Sequence, residues 1–224
     1  MHSHLLPGID DGSPDMETSL SLVKSMTELG FSKLITTPHI MWDMYRNTRD
    51  IILDKLDQLR AAVKTEGLEV EIHAGAEYFL DDYVAGLLRK EEPLLPISGN
   101  MVLVEFSLAH PSMSLKEILF EMQMQNYQPV IAHPERYIYL DQNRKFYEEL
   151  KDIGCLFQLN LLSLTNYYGK GPHELALYLV KKGYYDLVGT DLHDSRHLDA
   201  MNNSTLVHQV QKLMESGKIL NPEL

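Results

Sequence analysis

The chain has 224 residues, with 44% hydrophobic and 23% charged side chains, which is enough for one globular domain with a full core. Its net charge of −12 argues against a nucleic-acid partner and against an anionic membrane surface, because both attract basic proteins. A single cysteine, no apolar run long enough to span a membrane and no secretory signal at the start together predict a cytoplasmic protein without membrane insertion.

The first twelve residues carry two histidines and two aspartates. His2 and His4 are separated by one residue, so their side chains point to the same side of an extended segment. Pro7-Gly8 can turn the chain so that Asp10 or Asp11 returns toward them. This arrangement can hold a metal ion, although His-x-His alone is a weak signal. A strand that ends at His2 has almost no residues before it, so we expect further residues upstream.

Downstream, short apolar runs alternate with amphipathic stretches. The apolar runs predict six strands, at residues 33–39, 68–76, 101–104, 129–132, 155–159 and 186–190. The amphipathic stretches predict seven helices, at residues 13–30, 52–67, 83–90, 114–126, 143–153, 173–182 and 205–216. This alternation calls for parallel strands joined by right-handed crossovers.

About seven strand–helix units suit a closed or nearly closed barrel. A doubly wound open sheet is the alternative, but no Gly-x-Gly-x-x-Gly follows a strand and there is no P-loop. No linker or low-complexity segment divides the chain. We therefore expect an α/β protein with a single domain over residues 1–224.

Most of the predicted strands end at an imidazole or a carboxylate. The ends carry His2 and His4, His39, Glu77, Glu105, His133, and Asp191 with His193. In parallel barrels the active site lies at the C-terminal ends of the strands. With Asp11 these residues make nine candidate ligands, so two or three ions bridged by a carboxylate are expected. Imidazole and oxygen ligands suit manganese, iron, zinc or magnesium rather than a thiolate-bound metal.

These motifs, in the same order along nearly the whole chain, resemble those of the PHP (polymerase and histidinol phosphatase) superfamily. More narrowly, Asp10-Asp11-Gly12 and Ile131-Ala132-His133-Pro134-Glu135-Arg136-Tyr137 resemble the bacterial tyrosine-protein phosphatases of the CpsB/CapC type. The resemblance implies a distorted (β/α)7 barrel around three metal ions, usually manganese or iron. It also implies hydrolysis of phosphotyrosine, on the tail of a tyrosine kinase that controls capsule or exopolysaccharide export.

The resemblance also implies how the residues divide. His2, His4, Glu77 and Asp191 would hold one ion; Glu77, Glu105 and His133 a second; Asp11, His39 and His193 a third. Arg136 and Arg196 would bind the phosphate, because the planar guanidinium group pairs with phosphate oxygens. A hydroxide acidified by two bridged metals would then attack phosphorus in line, with Asp194 or His4 as possible proton donors to the phenolate.

This chain departs from the family pattern after His39, where residues 40–46 do not form a basic stretch. Trp42 and Tyr45 in this loop are expected to stack on the tyrosyl ring of the substrate or to pack on the barrel rim.

The remaining expectations concern residues outside the ligand set: Asp10 as a turn residue, Asn160 as a structural hydrogen-bonding residue, Cys155 as an inert buried thiol, and His73, His110, His173, His197 and His208 as surface or packing residues.

Three other functions are compatible with parts of this pattern. A small-molecule phosphatase of the same superfamily, acting for example on histidinol phosphate, would use the same ligands. An amidohydrolase also begins with His-x-His, but it usually places a bridging lysine where Glu105 stands. A non-catalytic module that binds the kinase tail is the third alternative.

Overall fold

Parallel strands alternate with helices throughout the computed structural model, which describes residues 1–110 and 113–224. The elements, in chain order, are α1 Met16–Glu28, β1 Lys33–Thr36, β2 His39–Ile40, α2 Arg49–Thr65, β3 Glu71–Ala74, β4 Glu77–Phe79, α3 Asp82–Arg89, β5 Met101–Glu105, α4 Leu115–Met124, β6 Gln128–Ala132, α5 Lys145–Asp152, β7 Leu156–Asn160, α6 Lys170–Lys182, β8 Leu187–Gly189, α7 Ser195–Met201 and α8 Ser204–Met214. The predicted α/β class with parallel strands is confirmed. None of the helices in the described ranges has the length and hydropathy needed to cross a bilayer.

The strands form two parallel sheets. Six strands pair in the order β2-β4-β5-β6-β7-β8, and β1 pairs separately with β3. The N-terminal segment lies between the two ends of this arrangement. The His4 N–H donates to the Leu192 carbonyl (2.8 Å), just beyond β8, and the Thr37 N–H, just beyond β1, donates to the Ser3 carbonyl (2.7 Å).

Two predicted strands end earlier than expected, because a second short strand begins shortly after each, β2 at His39 and β4 at Glu77. The 33–39 run becomes β1 and β2, and the 68–76 run becomes β3, with Glu77 opening β4 rather than ending a strand. Pro38, which has no N–H to donate, lies at the first break. At the second break Gly75 passes so close to Ile97 that a Cβ atom would lie 2.7 Å from its Cγ2. Each kink moves the chain from one sheet to the other.

The helices differ from the prediction mainly toward the C-terminus. Helix α6 begins at Lys170, three residues before the predicted start, and α7 was not predicted at all. Helix α7 contains no buried residue, so hydrophobic patterning gave no signal for it. Its first turn is capped by Asp194, whose carboxylate accepts the N–H groups of Arg196 and His197. Helix α1 is capped by Asp15 rather than by Ser13.

The core lies on both faces of the strands. The predicted stripe of α2, Ile52, Leu56, Leu59 and Val63, is buried against the outer face, as is that of α4. A second cluster comes mainly from strand side chains that point away from the helices: Ile35, Ile97, Leu103, Val130, Ala132 and Leu187. Side chains alternate along a strand, so Glu105 points to the same side as Leu103, one step nearer the C-terminal end of β5. The polar site therefore lies directly beyond this second cluster.

Candidate metal centre

Glu77 is at the centre of a cluster of imidazole rings. It is fully buried, and its Oε2 lies 3.2 Å from His2 Nε2, 3.5 Å from His4 Nε2 and 3.2 Å from His39 Nδ1. Its Oε1 lies 3.1 Å from His133 Nε2. One carboxylate thus contacts four histidines that come from three separate parts of the chain.

All nine residues predicted as ligands converge on this region. Three groups each offer one ligand atom per residue within 4.8 Å of one another: His2, His4, Glu77 and Asp191; His39, Glu77 and Glu105; and His4, Asp11, His39 and His193. The first group has the membership that the resemblance implies. The second contains His39, with His133 adjacent at 3.1 Å from Glu77 and 3.9 Å from Glu105, and the third also includes His4.

Backbone strain is concentrated at the same residues. His2, His133 and Asp191 adopt φ values of 59°, 34° and 49°, in the left-handed region that side chains with a Cβ disfavour. Each such residue costs about 1–3 kcal/mol, and such strain clusters at functional sites. His133 and Asp191 adopt this conformation just beyond the ends of β6 and β8, and their side chains lie in the cluster.

The buried carboxylates draw positive charge into the cluster. Burial opposes the charge on His2, but Glu77 and Asp191 outweigh it and raise the pKa of His2 to about 10. Burial likewise works against ionisation of Glu77, yet His2 and His39 hold the pKa of Glu77 well below its usual range. The cluster is therefore built to be neutralised by cations.

Two atoms that face the cluster are buried without a hydrogen bond among the described residues. They are His39 Nδ1 and Glu105 Oε1, which lie 3.0 Å apart. Unpaired buried nitrogen and oxygen atoms are costly, and imidazole and carboxylate are the donors preferred by manganese, iron and zinc. The residues present therefore fit divalent ions.

A family model for capsular polysaccharide synthesis proteins of the CpsB/CapC type matches residues 1–217. The chain belongs to the CpsB/CapC family. The tyrosine-protein phosphatase CpsB of Streptococcus pneumoniae is 31% identical over 204 residues, covering 88% of this chain and 84% of that protein. The tyrosine-protein phosphatase YwqE of Bacillus subtilis is 28% identical over 194 residues, covering 87% of this chain and 76% of that protein.

Solved structures extend the likeness of this CpsB/CapC protein to three dimensions. The crystal structures of YwqE from Bacillus subtilis and CpsB from Streptococcus pneumoniae, described as metal-dependent tyrosine phosphatases, provide a match with a TM-score of 0.80 and 26% identity, over 94% of this chain and 90% of that chain. The histidinol phosphate phosphatase of Lactococcus lactis, solved with zinc, L-histidinol and phosphate, matches with a TM-score of 0.55 and 14% identity over 97% and 93%. The second match indicates a shared fold alone.

Two polar groups orient histidines of this CpsB/CapC protein. Gln158 Oε1 lies 2.7 Å from His2 Nδ1, and Asp10 Oδ2 lies 2.8 Å from His4 Nδ1. Both acceptors place the ring proton on Nδ1 and leave Nε2 facing the cluster, as is usual around metal ligands. The expected turn role of Asp10 is present too, because its Oδ1 accepts the Gly12 N–H. Gln158 was not singled out in the sequence, since it lies inside an apolar strand.

The two predicted phosphate-binding arginines differ in setting, although both line a cavity open over the cluster. Arg136 is mostly buried, donates from Nη1 to Asp191 Oδ2 (3.0 Å) and lies over the Tyr168 ring at 4.8 Å. Asn160, expected as a structural hydrogen-bonding residue, also donates to Asp191 Oδ2 (2.9 Å). Arg196 is exposed at the rim and pairs with Asp194.

The two aromatic residues predicted to contact substrate lie apart. Tyr45 lines the cavity and stacks on His39, with ring centroids 5.5 Å apart. The structure does not bring Trp42 to the cavity lining; it stacks on Tyr83 at 4.0 Å instead. The apolar wall of the cavity is completed by Met41, Met44 and Leu108, which hydrophobic patterning did not single out.

Two other residues bear on the chemistry. His197, expected as a surface or packing residue, lines the cavity, and its Nδ1 lies 3.2 Å from the His193 nitrogen and 3.0 Å from the Asp191 carbonyl oxygen. No sequence signal marked it, because α7 itself was not predicted.

Cys155 is buried just before β7, as expected, and burial raises the pKa of its thiol to about 12. It precedes the strand, whereas the cavity lies beyond the C-terminal ends of the strands.

Proposed function

We propose that this protein is a metal-dependent protein-tyrosine phosphatase. The observation that carries the proposal is the convergence of nine imidazole and carboxylate ligands beneath an open cavity lined by Arg136 and Arg196. The relatives named as tyrosine-protein phosphatases support it, and they disfavour the small-molecule and non-catalytic alternatives. The substrate is a phosphotyrosine protein, and the tail of a capsule or exopolysaccharide tyrosine kinase, met in the cytoplasm, is the proposed partner.

The cofactor is two or three divalent ions, with manganese first and iron, zinc or magnesium as alternatives. His2, His4, Glu77 and Asp191 would hold one ion, Glu77, Glu105 and His133 a second, and Asp11, His39 and His193 a third. Bound ions would neutralise phosphoryl oxygens and lower the pKa of coordinated water toward neutrality.

The remaining steps belong to side chains of this chain. Arg136 uses one guanidinium nitrogen on Asp191, which leaves its other N–H groups to bind the phosphoryl oxygens as a fork. Arg196 adds positive charge at the rim. Tyr45, with Met44 and Leu108 beside it in the cavity wall, contacts the aryl ring. Arg136 also packs on Tyr168, so its guanidinium plane is held before substrate arrives.

The proposed architecture is a single domain, residues 1–224, folded as a distorted (β/α)7 barrel. Support comes from the N-terminal segment, whose Ser3 pairs in parallel with Leu192 and accepts the Thr37 N–H, thereby linking the β8 end to the β1 end. The second core cluster, which contains Leu103 and Val130, would fill the barrel interior below the metals.

Chelation and thiol alkylation should have opposite effects on activity. We expect hydrolysis of a phosphotyrosine peptide in Mn²⁺ to fall to background after exhaustive chelation and to return when Mn²⁺ is added back. Iodoacetamide should leave the rate unchanged, because the buried Cys155 thiol, with its pKa raised to about 12, is not a thiolate near pH 7. The rates are measured by phosphate release. Full activity in the chelated protein would refute the proposed mechanism.

The apolar wall should determine how tightly the aryl ring is bound. The double variant Met44→Ser/Leu108→Ser should raise KM for a phosphotyrosine peptide about 5- to 10-fold with little change in kcat, since about 1 kcal/mol of apolar contact is lost. Both side chains are substantially exposed, so the fold should not be affected. Inhibition by inorganic phosphate, which has no ring, should stay the same.

The control for this variant is Met124→Ser, which removes a methionine that is 71% exposed on α4, outside the cavity. Equal KM values for the double variant and the wild type would mean that the ring binds elsewhere.

A further inference from the structure

The loop between β8 and α7 supplies two of the proposed ligands, Asp191 and His193, from three consecutive residues. Its first half is anchored to the N-terminal segment. Thr190 Oγ1 donates to the His2 carbonyl at 2.8 Å, and the Asp191 N–H donates to the same carbonyl at 2.9 Å. Because Asp191 has a φ of 49°, the turn is strained and depends on contacts that hold it.

The second half of the loop is held from α7. The His193 N–H donates to Nδ1 of His197 at 3.2 Å. The same Nδ1 lies 3.0 Å from the Asp191 carbonyl oxygen, so this one ring nitrogen contacts both a backbone donor and a backbone acceptor of the loop. The ring of His197 is partly buried and packs edge-on against Tyr167 and Tyr168, with centroids 5.2 and 6.4 Å away.

The ring of His193 is fixed by a second contact within the same loop. Its Nδ1 lies 2.9 Å from the Asp191 carbonyl oxygen, which can only accept, so Nδ1 carries the proton. This tautomer leaves the Nε2 lone pair of His193 facing Asp11, whose Oδ1 is 3.5 Å away. His197 Nδ1 lies 3.0 Å from the same carbonyl, so both histidines meet at one point of the loop.

We propose that His197 is a positioning residue for the metal centre: through the contacts of its Nδ1 with the backbone of Asp191 and His193 it holds His193 Nε2 toward the ion shared with His4, Asp11 and His39. The inference rests on the proposed metal centre and adds a residue to it. His197 belongs to none of the three ligand groups found among the described residues, so it acts through His193. Groups that orient metal ligands in this way typically contribute about 10- to 100-fold to metal affinity.

The test uses two substitutions of His197 and measures Mn²⁺ binding to the whole chain without substrate. His197→Leu removes the ring nitrogen but fills similar space. His197→Asn keeps a polar amide near the position of Nδ1, which can accept the His193 N–H or donate to the Asp191 carbonyl. Calorimetric titration and metal analysis after dialysis give the number of ions and their affinities. Thermal unfolding of the metal-free proteins reports any general damage to the fold.

We expect His197→Leu to bind one ion about 10- to 100-fold more weakly, with the other sites unchanged and the metal-free melting temperature close to that of the wild type. His197→Asn should recover most of the lost affinity. His193→Ala should weaken the same ion, and His208→Leu, which alters an exposed histidine of α8, should bind metal as the wild type does.

Three results would overturn the positioning role while leaving the proposed function intact. They are wild-type metal binding by His197→Leu, an equal loss at every site, and failure of His197→Asn to restore binding. A wild-type protein that binds no Mn²⁺ would instead refute the metal centre itself, and the role of His197 with it.

Discussion

Replacing Glu77 by glutamine should abolish turnover, with kcat falling at least about 10³-fold, because a single preorganised electrostatic group already contributes about 10²- to 10³-fold. The side chain keeps its size but loses the negative charge that lies within 3.5 Å of His2, His4 and His39. An amide binds metal ions more weakly than a carboxylate and is a poor bridge between two of them. We therefore expect the variant to lose Mn²⁺ on dialysis, measured by metal analysis beside kcat on a phosphotyrosine peptide.

The matched control is Glu71→Gln. Glu71 also contacts a histidine, His73, but the pair is exposed on β3 and outside the cluster. This variant should keep both wild-type kcat and metal content. If Glu77→Gln retained its metal and a kcat within a few-fold of the wild type, Glu77 would not be the bridge between ions.

The residues that cluster at the candidate metal centre were easier to predict from the sequence than the boundaries of the strands. His39, Glu105, His133 and Asp191 could be identified because each stands at or next to the C-terminal end of an apolar run, and parallel strands bring these ends to one edge. The order of these motifs along the chain then indicated the family. Strand direction is sufficient for Glu105, His133 and Asp191, whereas His39 and Glu77 open the short strands β2 and β4 instead of ending a strand.

The details that sequence could not give depend on contacts between distant segments. The breaks at Pro38 and Gly75 reflect where the chain leaves one sheet for the other, and for Gly75 the reason is a close approach to Ile97. The hydrophobic pattern of a run does not show which sheet each residue joins, so each run is read as one strand.

Supporting polar residues were missed for a related reason. Gln158 lies in an apolar strand and contacts His2 across 156 positions, and nothing near it in the sequence indicates that partner. Helix α7 has no apolar stripe, so neither the helix nor the orientation of His197 could be inferred. Ligands can be recognised from their type and place, whereas the residues that orient them are recognisable only from geometry.

Replacing Arg136 by lysine should lower kcat/KM for a phosphotyrosine peptide by about 10²- to 10³-fold, although the positive charge is kept. Arg136 donates to Asp191 at 3.0 Å through one nitrogen and has further N–H groups in a rigid plane over Tyr168. Lysine offers a single point of charge, so it cannot bind Asp191 and a phosphoryl oxygen as a fork. Inhibition by inorganic phosphate should weaken in parallel, which steady-state kinetics will measure.

Arg144→Lys is the matched control, because Arg144 also pairs with an aspartate, Asp141, and lies over a tyrosine ring, that of Tyr178, but it does not line the cavity. This variant should be as active as the wild type.

The metal content of Arg136→Lys separates two roles that the geometry combines. Wild-type metal content with lost phosphate inhibition would establish phosphate binding as the main role of Arg136. If the variant lost metal, while the molecules that still held metal were inhibited by phosphate as the wild type is, the main role of Arg136 would instead be to hold Asp191. Because one guanidinium group touches both a proposed ligand and the cavity, we expect the first result, with substrate binding sensitive to how Asp191 is held.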